Sequence, residues 1–334
     1  MTRLARGFEQ LRGQETVINA LQKAIEDGRL GHAILFSGPP GSGKSTLAML
    51  TAQALNCEAE GLSPCEECLS CLKLARGNHP DVVVVEPQER SLKIDQLREV
   101  RGSFIYHNYE AESRVCIIEE AHKMTGAAAA TLLKIMEEPP PQLVFILTTP
   151  YPSWLPATIL SRCQHYGLQR LSDKKMESFL QETFPEASPE EIAMAVRLGE
   201  GIPGRALDVI SQDEWVYRQE MVYGFGKKLI SPVLAEHELF KEARNWAERE
   251  DLHVLMELLA MFFKDGLMWK LCGDEYSLPD ESWEDFWNNC VFDDDLVLQN
   301  CLELVNNTRK RLLTNINTTL ALENLFLQIR GRIC

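Results

Sequence analysis

One octapeptide constrains this chain more than any other feature. Gly38-Pro39-Pro40-Gly41-Ser42-Gly43-Lys44-Ser45 fits the pattern G-x-x-x-x-G-K-[ST], follows the apolar run AILFSG at 33–38 and opens a helical pattern over 44–55. Strand, glycine-rich turn and helix in that order wrap backbone N–H groups around an anion and aim a helix N-terminus at it. In that arrangement Lys44 neutralises the β/γ charge of a nucleotide and Ser45 reaches a Mg²⁺ ion. A continuous apolar strand of this kind must be covered on both faces. Further apolar runs at 82–85, 115–118 and 143–148 alternate with helical patterns at 10–27, 94–104 and 127–136, which predicts a parallel α/β domain over residues 1–168.

A nucleotide site of this type needs an acid at the end of a neighbouring strand. VCIIEEAH at 115–122 supplies four apolar residues and then Glu119 and Glu120. Glu119 is the candidate for the metal and Glu120 for orienting a water; a merely solvated acidic strand end is the alternative. Between the octapeptide's helix and the next strand lie Cys57, Cys65, Cys68 and Cys71, with C-x-x-C-x-x-C spacing in the last three. Four thiolates suit a closed, tetrahedral Zn²⁺ site that staples an insertion too small for its own core. Iron–sulfur ligation and free thiols are the alternatives. Cys116, Cys163, Cys272, Cys290, Cys301 and Cys334 have no ligand spacing, and His32, His79 and His122 read as structural.

Beyond residue 168 the patterns are helical only. Ser172 and Ser188 are N-cap candidates, with Pro189 at a first helical position, and three short helices make a unit over 169–212. Longer amphipathic patterns at 215–229, 236–247, 252–271, 294–313 and 318–329 predict an all-α third domain over 213–334, with the aromatics at 246, 262, 263, 283, 286 and 287 in its core. The net charge of -15 is uneven: residues 1–168 carry -3, and 271–308 alone carry -10 with no Lys or Arg. Such a field argues against binding nucleic acid or an anionic membrane through bulk charge. The start MTRLARGFEQ lacks a signal-peptide core, and no apolar run approaches the roughly 20 residues that span a bilayer. A cytoplasmic location, no membrane partner and reduced cysteines are expected.

The assembled residues resemble a family. FEQLRGQETVINALQKAIEDGRLGHAILFSGPPGSGKST, the four-cysteine insertion, the EEAH box, LLKIMEEPP at 132–140, FILTT at 145–149 and ATILSRCQHYGL at 157–168 are similar to bacterial clamp-loader AAA+ subunits of DNA polymerase III. Asn78-His79-Pro80-Asp81 and Gly201-Ile202-Pro203-Gly204 look more like the delta-prime subunit than the gamma/tau motor. The resemblance implies an AAA+ P-loop domain, a three-helix lid and a helical collar. It implies that Gly38 to Ser45 bind ATP with Mg²⁺, that Glu120 is the family's catalytic acid, and that Thr148 or Thr149 reads the γ-phosphate. It further implies that Arg162, in Ser161-Arg162-Cys163, acts in trans on a neighbouring subunit's ATP, as a fixed guanidinium can. Two departures stand out. Glu119 replaces the usual Asp, and Gly204 stands where motor subunits carry an arginine, with Arg205 one position later. Partners implied are gamma/tau and delta subunits in a pentameric ring, the sliding clamp and primed DNA. A stator role is expected, with an ATP-hydrolysing motor or another AAA+ remodeller as alternatives.

Overall fold

A computed structural model describes residues 7–59, 61–88, 91–103, 113–211, 214–231, 235–273, 276, 278, 281–290, 296–313 and 316–333. Phe104, Cys334 and much of the acidic stretch (Asp274, Glu275, Asp280 and residues 293–295) lie outside that set. The chain divides into two compact units, Met1–Ile210 and Ser211–Cys334.

In the first unit the order is α1 (Glu15–Glu26), β1 (Ala33–Ser37), α2 (Lys44–Leu55), α3 (Leu69–Ala75), β2 (Val82–Val85), α4 (Ile94–Ser103), β3 (Arg114–Ile118), α5 (Gly126–Glu137), β4 (Leu143–Thr149), α6 (Ala157–Leu160) and β5 (Gln164–Gly167). The strands form one sheet in the order β2-β3-β4-β1-β5, every pair parallel. Alternation along the strands feeds two cores. Ala33 and Leu35 pack with Cys116, Ile118, Phe145, Leu147 and the α5 residues Leu132 and Met136. Ile34 and Phe36 face the other way, with Ile117, Ile146, Leu21 of α1 and Leu47 of α2. Helices cover both faces, as continuous apolar strands require. Because the strands are parallel, their carboxyl ends share one edge, where a ligand crevice forms.

Three helices follow: α7 (Asp173–Thr183), α8 (Pro189–Gly199) and α9 (Pro203–Ser211). Ser188 and Glu191 close a full capping box on α8 with Pro189 behind it, whereas Ser172 sits at the N-cap of α7 without a side-chain bond. Gln14 joins this segment to the sheet domain. Its amide donates to the Gln169 carbonyl at 2.7 Å and accepts from the Gln169 N–H at 3.0 Å.

The second unit holds α10 (Glu214–Leu229), α11 (Glu236–Ala247), α12 (Leu252–Cys272), α13 (Glu281–Asn289), α14 (Val297–Leu312) and α15 (Thr318–Ile333). The long α12 is buried on most of its circumference and packs against α10 and α14. Trp246, Phe262, Phe263 and Trp287 are buried, while Trp283 and Phe286 are half-buried and pack edge-on to one another and Phe286 also to Trp287. Inside the bundle, Asp265 accepts from the hydroxyls of Tyr223 and Tyr276, at 2.5 and 2.7 Å. No described helix is long and apolar enough to cross a membrane.

Candidate nucleotide and metal sites

The octapeptide leaves the carboxyl end of β1 and becomes α2 at Lys44. Gly41 and Gly43 take φ of +79° and +93°, a left-handed backbone that side chains resist. A Cβ on Gly38 would stand 2.9 Å from the Leu168 carbonyl oxygen, and one on Gly43 would strike Leu11 at 2.8 Å. The loop is therefore walled closely, and only glycine fits these turns. The hydroxyl of Ser42 is buried without a hydrogen-bond partner among the described residues. An orphaned donor inside a cradle of backbone at a helix N-terminus fits a phosphate group. Lys44 is buried and donates to the Pro39 carbonyl at 2.8 Å. Burial pulls its ammonium down to about 8, against the opposing pull of Glu120 and Glu119.

The acids expected beside the loop stand at the end of β3. Burial raises the Glu119 carboxyl above its ordinary value, and a hydrogen bond with Ser45 opposes that rise. This acid–hydroxyl pair is a suitable donor set for Mg²⁺. Glu120 adopts a left-handed backbone, φ +46°. Its N–H donates to the Thr148 hydroxyl at 3.2 Å, and Lys123 pairs with its carboxylate at 2.7 Å. Thr149, buried beside Thr148 at the end of β4, contacts His122 Nδ1 at 3.3 Å and accepts from the Tyr151 N–H at 3.0 Å. The two threonines thus face different partners, Thr148 the Glu120 backbone and Thr149 the ring cluster of His122, Tyr151 and Trp154.

The start of α9 closes over the loop. The Gly204 N–H donates to the Gly41 carbonyl at 2.9 Å, and Ile202 would lie 3.1 Å from a Cβ on Gly41. Arg205 is turned to Glu200 at 3.0 Å, both largely buried. Arg162 follows α6 and is exposed; its guanidinium meets the Thr158 carbonyl and Glu137, each at 3.0 Å. No sequence motif assigns a role to Lys123, Glu137 or Glu200. Lys123 was visible as a cation three residues after Glu120, but Glu137 lies 25 residues from its partner and has no local signal.

The sulfurs of Cys57, Cys65, Cys68 and Cys71 lie within 4.8 Å of one another. Tetrahedral ligands at about 2.3 Å from a Zn²⁺ ion would sit about 3.8 Å apart, so the cluster could close on a metal with small side-chain shifts. Backbone N–H groups of Cys65, Cys68 and Cys71 point at the sulfurs of Cys57, Cys65 and Cys68, at 3.3 to 3.4 Å. Such donors favour thiolates. The N–H of Cys68, then that of Glu67, pull Cys65 down to about 7, whereas burial pushes Cys71 up. His79 pins the adjoining helix α3 from outside the cluster. The Asp81 N–H donates to its Nδ1 at 3.2 Å, so its proton sits on Nε2 and goes to Ser70 Oγ at 3.1 Å.

Residues 13–172 match the family described as DNA polymerase III, delta subunit. The delta-prime subunit of Bacillus subtilis DNA polymerase III is 28% identical over 321 residues, 95% of this chain and 96% of its own. The tau subunit of the same organism is 36% identical over 168 residues, half of this chain but 30% of the tau chain. Among solved structures, a gamma subunit-related protein of Thermotoga maritima matches with a TM-score of 0.45 at 16% identity, over 95% of this chain and 99% of its own.

Proposed function

We propose that this chain, which is a DNA polymerase III clamp-loader subunit most like delta-prime, is the stator of a pentameric AAA+ ring that loads a sliding clamp onto primed DNA. Its partners are gamma/tau motor subunits and a delta subunit, and it works in the cytoplasm. Residues 1–168 are the AAA+ domain, 169–212 the lid and 213–334 the collar. Gly38, Pro39, Pro40, Gly41, Ser42, Gly43, Lys44 and Ser45 bind the phosphates of ATP, with Glu119 and Ser45 toward Mg²⁺. Cys57, Cys65, Cys68 and Cys71 hold a structural Zn²⁺. Arg162 reaches a neighbour's ATP and stabilises charge that develops on the transferring phosphoryl group.

The observation that carries this reading is Gly204. At the lid position where motor subunits place an arginine, this chain sets glycine backbone against the Gly41 backbone, and the nearby Arg205 is paired with Glu200. At that position the loop meets glycine backbone in place of a guanidinium, while Arg162 remains at the surface. Glu120 is further restrained by Lys123. A second reading, an ATP-hydrolysing motor, is favoured by the complete P-loop and the Ser45–Glu119 hydrogen bond. Reconstitution with gamma/tau and delta subunits separates the two. Under the stator reading, Arg162→Ala lowers clamp loading about tenfold or more while Lys44→Ala changes it less than about twofold. Equal loss in both variants refutes it.

A further inference from the structure

The Arg162 guanidinium has two fixed partners, and one of them carries a charge. Nη1 donates to the Thr158 carbonyl and Nη2 to Glu137 Oε1, both at 3.0 Å. Glu137 is the last residue of α5, a helix seated on the sheet through Leu132, Ile135 and Met136; Thr158 belongs to α6, held in the same core by Ile159. The guanidinium therefore bridges the ends of two helices that the core already fixes. Arginine has five N–H donors in a rigid planar fork, so two bonds set its direction and three donors are not used by these two partners. Its side chain is 36% exposed and that of Glu137 is 47% exposed. An ion pair this wet adds little to fold stability. Its effect is geometric: it selects one rotamer of a long, flexible side chain before any phosphate arrives.

We propose that Glu137 is the positioning residue for Arg162, holding the guanidinium in the direction from which it meets a neighbour's phosphoryl group. The inference rests on the reading of Arg162 as an arginine that acts in trans. An interaction that aims a group used in the transition state changes kcat and leaves the ATP KM of the neighbouring site nearly untouched.

The test is DNA-stimulated ATPase of the reconstituted ring carrying full-length Glu137→Ala, Glu137→Gln, Glu137→Lys, Arg162→Ala and the double variant Glu137→Ala/Arg162→Ala. Glu137→Ala is expected to lower kcat about fivefold at constant KM, with no change in the melting temperature of the chain. Glu137→Gln, which keeps the acceptor oxygen, returns to within about twofold of the parent, and Glu137→Lys falls below Ala. In the Arg162→Ala background, removing Glu137 produces no further loss. The proposal is overturned if Arg162→Ala is impaired and Glu137→Ala is not. It is equally overturned if the Glu137→Ala loss persists undiminished without Arg162, which would place Glu137 in some other role. If Arg162→Ala is itself fully active, the stator reading falls and takes this inference with it.

Discussion

Gly204→Ala tests how the start of α9 is held to the glycine-rich turn. The added Cβ would stand 2.9 Å from the Gly41 carbonyl oxygen, 3.0 Å from its Cα and 3.3 Å from its carbonyl carbon. All three are backbone atoms, so no rotamer change relieves the contact, and either the loop or α9 must move. Movement also lengthens the 2.9 Å bond from the Gly204 N–H. The lost bond costs about 0.5–1.5 kcal/mol and the overpacking about 1–3 kcal/mol. Against this, alanine is the better helix former by up to about 1 kcal/mol, and Gly204 has no left-handed backbone to forbid it. With the full propensity gain subtracted, the net cost is about 0.5–3.5 kcal/mol, which makes amide exchange at position 204 about two- to 300-fold faster, since each 1.4 kcal/mol of opening is tenfold. The first unit should melt lower by about 2–4 °C for each kcal/mol. Hydrogen exchange followed by mass spectrometry, with a parallel melt, reads both. Were the variant to exchange as slowly as the parent and melt no lower, close backbone approach would not be what seats α9.

Two further outcomes follow from the sites. Because burial pulls Lys44 to about 8, the free chain loses that positive charge as pH rises through 8. Affinity for Mg²⁺·ATP should then weaken above pH 8, by at most about tenfold per unit, while fold stability rises there because the unfolded lysine still binds its proton; calorimetric titration from pH 7 to 9.5 that showed flat affinity would contradict the assignment. Elemental analysis should find one zinc per chain, lost in Cys71→Ser together with resistance to proteolysis between 57 and 71, and a chain isolated metal-free with an equally protected insertion would remove the staple.

Much of the first unit was legible because its signals are local. The octapeptide, the apolar runs that became β1 to β4, and the Ser188 capping box each follow from neighbouring residues. β5 carries no strand signal in the sequence. Its sequence, Gln-His-Tyr-Gly, is short and mostly exposed, and it becomes a strand only by pairing with β1. The seven-residue α3 depends on the cysteine cluster and His79 rather than on periodicity. The same division holds at the sites. The glycine-rich octapeptide, the two glutamates and the four cysteines are visible as local motifs, but the Gly204–Gly41 approach and the Arg162–Glu137 bridge join segments that only the fold brings together. Thr148 and Thr149 could not be told apart from sequence, since both end the same strand; the turn after β3 gives each its own partner.

The brevity of β5 has a mechanical side. Arg162 is two residues from Gln164, where β5 starts; β5 then pairs with β1 from Ile34 to Ser37, and the next residue, Leu168, donates to the Ser37 carbonyl at 2.7 Å, just before the phosphate loop. The turn that carries Arg162 and the glycine-rich turn that starts at Gly38 are therefore anchored to the same four-residue stretch of sheet. A residue inserted within 164–167 would shift the register of both anchors at once, so the Leu168–Ser37 bond and the entry to the glycine-rich turn should loosen together.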